Sequence, residues 1–116
     1  MLVALPHALE DFQYRDFDRL GIAPPASHVL LAIAYLVQLV AIALLAAGRS
    51  IGGVLAGLMG IVWLAGDAAL HGHDVLFAGA GYRHGLVSKL LEGLILVLGA
   101  ACAATGWRVA RLGRAR

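Results

Sequence analysis

The residues best suited to chemistry lie in one stretch of this chain, WLAGDAALHGHDVLFAGAGYRHG, residues 63 to 85. Asp67 and His71 are four residues apart. On a helix their Cβ atoms therefore lie about 5–6 Å from each other, so that both side chains can bind one ion. His84 follows thirteen residues later. A carboxylate with two imidazoles suits zinc, copper or iron(II), and we predict a metal site formed by Asp67, His71 and His84.

Neighbouring polar residues add to this prediction. His73, Asp74 or His28 could supply a further ligand or a hydrogen bond that orients an imidazole. The alternative is that these side chains only border water at the ends of apolar segments. Asp67 argues against it, because it lies about one turn inside an apolar run, where an unpaired carboxylate costs several kcal/mol. We therefore expect a site that binds a metal or handles protons.

The elements that position these residues are long apolar segments. The 116-residue chain is 61% hydrophobic and only 14% charged, which is typical of a membrane protein. Stretches at about 28–47, 51–71 and 85–107 are long enough to cross a hydrocarbon core of about 30 Å, which takes about 20 helical residues. We predict an all-α integral membrane protein whose transmembrane domain, residues 24–116, has three spans and a basic tail.

Residues 1–23 form a separate N-terminal segment in this interpretation. Leu9, Phe12 and Phe17 alternate with charged residues, a pattern that favours a short amphipathic helix on the membrane surface. The segment lacks the basic start and the cleavage site of a signal peptide, so we expect it to be retained. We expect His7, in this segment, to be exposed.

The distribution of arginines predicts the orientation. The first loop and the C-terminal tail carry five arginines, against three on the other side, and cationic segments stay in the cytoplasm. The five are Arg49, Arg108, Arg111, Arg114 and Arg116, and the three are Arg15, Arg19 and Arg83. We predict a multi-pass protein of a bacterial-type inner membrane, with a periplasmic N-terminus and a cytoplasmic C-terminus. The candidate ligands then meet at the outer face.

Small residues predict which helix faces pack together. Gly53, Gly57 and Gly60 share a stripe with Asp67 and His71, and small residues let helices approach closely in lipid. This face should therefore be turned toward protein. In the third span, a comparable face is shared by His84, Ser88, Ile95, Gly99, Cys102 and Gly106.

The third span also carries two charged residues, Lys89 and Glu92, three positions apart. We expect them to form an internal pair that lowers the cost of insertion. The alternative is that Glu92 is a proton relay below His84. The single cysteine, Cys102, excludes an intrachain disulfide.

The spacing Asp67-x3-His71-x12-His84 resembles the copper constellation in a transmembrane subunit of the copper membrane monooxygenases, the group of particulate methane monooxygenase and ammonia monooxygenase. The resemblance implies copper as the ion. A second alignment matches the segment PPASHVLL, through His28, to a Pro-Ser-His segment of the same monooxygenase subunit, with Asp67 in place of an asparagine. Asp11 then fits an upstream carboxylate, whereas Arg15 stands where a histidine is expected.

The resemblance implies a small copper-binding membrane subunit that works within a larger hetero-oligomeric complex. If that complex is an enzyme, the resemblance implies a copper-dependent monooxygenase. The alternative is a structural or accessory subunit that packs against larger membrane partners, near their cofactors. A haem or chlorin ligand role ranks below both. Lipid is a further expected partner. Nucleic acid is not, because the net charge of +2 comes from arginines beside an apolar span.

Overall fold

The fold, taken from a computed structural model that describes residues 4–77 and 85–114, is all-helical. Its elements are α1 (Ala4–Tyr14), a 3-10 helix (Asp16–Leu20), α2 (Pro24–Ala46), α3 (Ser50–Phe77) and α4 (Gly85–Arg114). The last three are long and apolar enough to cross a membrane. The predicted class, a short N-terminal helix followed by three membrane-spanning helices, is confirmed.

Proline and glycine set the limits of the elements in the first half of the chain. Pro24 and Pro25 occupy the first positions of α2, where a missing backbone N–H costs nothing and the fixed φ suits a helix. Gly21 ends the 3-10 helix at a φ of +69°, and Gly48 follows α2 at +70°. These left-handed conformations favour glycine. The short turn around Gly48 makes α2 and α3 antiparallel neighbours.

Glycines bring α3 and α4 into the closest contact between helices of the fold. A Cβ added at Gly53 would lie 2.8 Å from the carbonyl oxygen of Gly106, and one at Gly60 would lie 2.6 Å from that of Gly99. A Cβ added at Gly57 would meet the Trp107 indole at 3.2–3.3 Å. All three predicted packing glycines of α3 thus lie in its contact with α4. Their lack of side chains lets the two backbones touch.

Helix α2 contacts α3 over a smaller area. The Trp63 indole donates a hydrogen bond of 2.9 Å to the amide oxygen of Gln38, which gives both polar groups a partner inside the apolar layer. Away from this contact the helices expose large apolar side chains, such as Leu36 and Leu39 on α2 and Val97 on α4. Such surfaces suit contact with lipid.

The N-terminal segment is attached to all three long helices. Ser88 of α4 donates a 2.5 Å hydrogen bond to Glu10 of α1. The Phe12 ring stacks on the His28 imidazole of α2 at a centroid distance of 4.0 Å. Arg19 contacts Asp74 of α3 at 3.3 Å. Helix α1 is therefore held over one end of the three-helix unit and buries a face there.

Candidate metal centre

Five buried ionisable side chains meet where α1 lies against α3 and α4. We call them the His/carboxylate cluster: His7, Asp11, Asp67, His71 and Glu92. Each is at most 7% exposed, and Glu92 is completely buried. Ionisable groups are rarely buried so deeply unless they pair with one another or bind a cation.

The local sequence explains how three helices supply this cluster. His7 and Asp11 are four residues apart on α1, and Asp67 and His71 are four apart on α3. Residues at this spacing share one helix face, so each helix presents an imidazole and a carboxylate together. Glu92 comes from the face of α4 that also carries buried Ser88, Ile95 and Gly99. Packing of the glycines brings this face against α3.

The Nε2 atoms of both histidines point toward the same carboxylate oxygen. Oδ1 of Asp11 lies 3.1 Å from Nε2 of His71 and 3.6 Å from Nε2 of His7. Oδ1 of Asp67 lies 3.4 Å from Nε2 of His7. One ligand atom from each of His7, Asp11 and His71 falls within a mutual distance of 4.8 Å. Ligands about 2.0–2.2 Å from a tetrahedral ion are themselves about 3.3–3.6 Å apart. The two distances from Oδ1 of Asp11 are close to this spacing, whereas the 4.8 Å limit is wider, so the side chains would have to move closer together to bind one ion.

The Nδ1 atoms of the two histidines face a second carboxylate. Oε1 of Glu92 lies 3.4 Å from Nδ1 of His71 and 3.8 Å from Nδ1 of His7. Metal-binding histidines commonly direct the ring nitrogen that does not bind the metal at a carboxylate, which fixes the tautomer and the ring orientation. The imidazole planes are 70° apart, with their centroids at 4.7 Å. Glu92 is thus placed to orient the His71 ring, and it shares the His7 ring with Glu10, whose Oε2 also lies 3.8 Å from Nδ1 of His7.

The cluster brings three carboxyl groups together with two imidazoles. Burial of the His7 imidazole lowers its pKa, but the contact with Asp67 and the charges of Asp11 and Glu92 outweigh burial and raise the pKa above its ordinary value. The surroundings therefore favour positive charge at this position. Either a proton on the imidazole or a metal ion could supply it.

The residues predicted from sequence are distributed unevenly around this centre. Asp67 and His71 belong to the cluster, whereas the prediction for His84 falls outside the described residues. His28 is exposed, stacks on Phe12 and directs Nδ1 at the carbonyl oxygen of Pro24. The His73 side chain is 83% exposed, and Asp74 contacts Arg19. His28, His73 and Asp74 thus lie outside the cluster.

Two members of the cluster were missed or misjudged in the sequence. The expectation that His7 is exposed is wrong, because only 4% of it is accessible. Asp11 entered the argument only through the second alignment. Both lie on one face of α1 with Ala4 and Ala8, which are also buried. The sequence did contain a signal for this face, because His7 and Asp11 have the same four-residue spacing as Asp67 and His71, with the histidine first.

No known protein family, curated protein or solved structure matches this chain.

Proposed function

We propose that this protein is a small integral membrane metalloprotein whose ion is bound between the N-terminal helix and the second membrane-spanning helix. The observation that carries the proposal is the convergence of His7, Asp11 and His71, all buried, with ligand atoms within 4.8 Å of one another. Two of these residues come from α1 and one from α3. Binding an ion would therefore join the N-terminal segment to the membrane domain.

Each member of the cluster has a distinct role in this proposal. Nε2 of His7, Nε2 of His71 and Oδ1 of Asp11 are the ligands, and Asp67 is the fourth. Glu92 orients the His71 imidazole through Nδ1 and contributes to orienting that of His7. Two aspartate ligands balance the charge of a divalent ion, which suits a buried site of low dielectric constant. Mixed imidazole and carboxylate ligands suit zinc and iron(II).

Copper is the ion proposed from the resemblance to the copper membrane monooxygenases. Asp67 and His71, which the resemblance makes ligands, both lie in the cluster. Asp11, which the second alignment makes a partner of His28, lies instead beside them, with Oδ1 at 3.1 Å from His71, whereas His28 lies outside the cluster. In this form of the proposal the chain acts with other membrane subunits in a copper-dependent oxidation. Such a reaction also requires an electron source and an open coordination position.

A second candidate function is structural. The glycine contact between α3 and α4 and the exposed apolar faces of all three long helices suit a subunit that packs against larger membrane proteins. In that case the cluster is an ion-pair network that holds α1 in place. The two functions differ in whether the cluster binds metal.

The test is the metal content of purified protein in detergent, measured for zinc, iron and copper together. We expect about one ion per chain in the wild type, and its loss in His71→Ala and Asp11→Asn. His73→Ala is the matched control, because this histidine lies two residues from His71 on the same helix and is 83% exposed. Circular dichroism checks that each variant is helical. Equal metal content in all four proteins, or none in wild type loaded with each metal, would overturn the proposal in favour of the structural function.

A further inference from the structure

A cleft of about 340 Å³ lies at the end of the three-helix unit opposite the His/carboxylate cluster. One wall is the turn that joins α2 to α3, and the other is the last two turns of α4. The walls meet at Gly113, where an added Cβ would lie 2.4 Å from that of Ser50. Sites for small molecules typically have volumes of about 300–1,000 Å³, so the cleft is large enough for a ligand.

The cleft combines an apolar part with a polar part. Leu45, Val109 and Leu112 form the apolar part. Val109 and Leu112 are 42% and 62% exposed, so this part is open to lipid. Arg49, which is exposed, and Ser50 form the polar part. A ligand that contacts both parts must itself be amphipathic.

The polar part carries positive charge without an acidic neighbour. The guanidinium of Arg49 forms no hydrogen bond or ion pair with any residue that the structure describes. Neither aspartate nor glutamate occurs in residues 19–66 or 93–116, which include both walls of the cleft. Arg108 lies four residues before Leu112, on the same side of α4, and adds a second cation beside the cleft. The walls therefore favour an anionic ligand.

We propose that this cleft binds the phosphate headgroup of an anionic phospholipid. The guanidinium of Arg49 can donate two parallel hydrogen bonds to phosphate oxygens, and cationic pockets between membrane helices are suited to anionic headgroups. The acyl chains would lie against Val109 and Leu112. A zwitterionic lipid fits less well, because the two arginines repel its ammonium group. The inference is independent of the proposed metal centre, which lies at the other end of the unit.

The test is native mass spectrometry of the purified protein in a neutral detergent. The protein is titrated with phosphatidylglycerol and, separately, with phosphatidylcholine that has the same acyl chains. We expect the first phosphatidylglycerol to bind at least about fivefold more tightly than phosphatidylcholine, because an arginine near the membrane surface contributes about that factor toward an anionic lipid. Equal affinities for the two lipids would overturn the proposal.

Inorganic phosphate distinguishes a lipid site from a site for a free anion. Phosphate has the charge of the headgroup but no acyl chains to contact the apolar part of the cleft. We expect an excess of phosphate, added at constant ionic strength, to leave bound phosphatidylglycerol in place. Displacement of the lipid by phosphate would reject the lipid as the ligand and indicate a site for a free anion.

Two arginine variants test the location. Arg49→Gln removes the charge that lines the cleft, and exposure of this side chain means that its loss leaves the helix packing intact. Arg111→Gln is the matched control, because Arg111 is exposed at the same end of α4 but does not line the cleft. We expect Arg49→Gln alone to weaken phosphatidylglycerol binding about fivefold, with phosphatidylcholine binding unchanged. Wild-type affinity in Arg49→Gln, or an equal loss in both variants, would contradict the assignment.

Discussion

At the scale of single residues, the two nitrogens of each imidazole ring face different carboxyl groups. Nε2 of each faces Asp11, and Nδ1 of each faces Glu92. Asp11 is thus placed as a ligand and Glu92 as the group that orients the ligands. Substitution of the two carboxylates should consequently have different effects.

Glu92→Gln tests the orienting role. Glutamine keeps the volume of the side chain but replaces the carboxyl group with a neutral amide, which is a weaker acceptor for an N–H at Nδ1. We expect metal affinity to fall about 10–100-fold without loss of the site. A competition titration against a chromogenic zinc chelator measures the change. Wild-type affinity in Glu92→Gln, with His73→Gln as the exposed control, would contradict this role.

The sequence indicated only the part of the cluster that lies on one helix. Asp67 and His71 are neighbours by helical spacing, which is local information. Their partners His7 and Asp11 reach them only because α1 folds back over α3 and α4. Since the alternation of apolar and charged residues in α1 also fits a surface helix, the sequence could not show which face of α1 is buried.

At the scale of elements, the contacts of α1 decide whether the cluster is assembled. Arg19 forms a bridge from the 3-10 helix to α3, with Nη1 at 3.3 Å from Asp74 and 3.5 Å from the carbonyl oxygen of Leu70. The guanidinium is partly exposed, so the bridge is weak, on the order of 0.2–1 kcal/mol. It fastens the end of the N-terminal segment to α3.

Arg19→Ala should therefore loosen α1 without unfolding the membrane domain. We expect faster hydrogen exchange at the amides of α1 and little change in α3 and α4. Arg15→Ala is the control, because Arg15 pairs with Asp18 three residues away and makes a local contact at 2.8 Å. Exchange that is equally fast in both variants would exclude a specific role for Arg19.

The contact between α3 and α4 gives a second prediction at this scale. Gly60→Ala places a Cβ 2.6 Å from the carbonyl oxygen of Gly99, so the helices must separate, at a cost of about 1–3 kcal/mol. In Gly66→Ala, on the same helix, the added Cβ meets no atom within 4 Å. This change should stabilise the folded protein by up to about 1 kcal/mol, because alanine has a higher helix propensity than glycine. The unfolding free energy in mixed micelles measures both. Equal effects would reject the close contact.

The three membrane-spanning helices could be predicted because hydropathy is a property of each segment alone. Their full lengths could not be predicted from hydropathy, because backbone hydrogen bonds alone can continue a helix beyond its apolar residues. Helix α3 extends to Phe77, and α4 to Arg114. The cleft between the α2–α3 turn and the end of α4 was also beyond the sequence, since it depends on how these two elements pack.

At the scale of the whole molecule, the cluster and the C-terminal arginines lie toward opposite ends of the three-helix unit. His71 is near the end of α3, whereas Arg108 and Arg111 follow the apolar part of α4. The excess of arginine at the C-terminal end of the unit favours a cytoplasmic location for that end. The proposed metal centre would then lie at the periplasmic side.

Cysteine labelling tests this orientation. In a Cys102→Ser background, His73→Cys should react with a membrane-impermeant maleimide in intact cells, because the position is exposed near the cluster. Ala47→Cys, in the exposed turn at the other end, should react only after lysis. The reverse pattern would place the N-terminus in the cytoplasm.

The attachment of α1 to all three long helices also has a consequence for biogenesis. The ribosome synthesises His7 and Asp11 first, but Asp67 and His71 arrive with α3, and Glu92 only with α4. Helix α1 must therefore wait at the membrane surface until translation of the last span. A nascent chain without its last span would thus contain all four proposed ligands but lack Glu92, so we expect it to bind the metal more weakly than the finished protein.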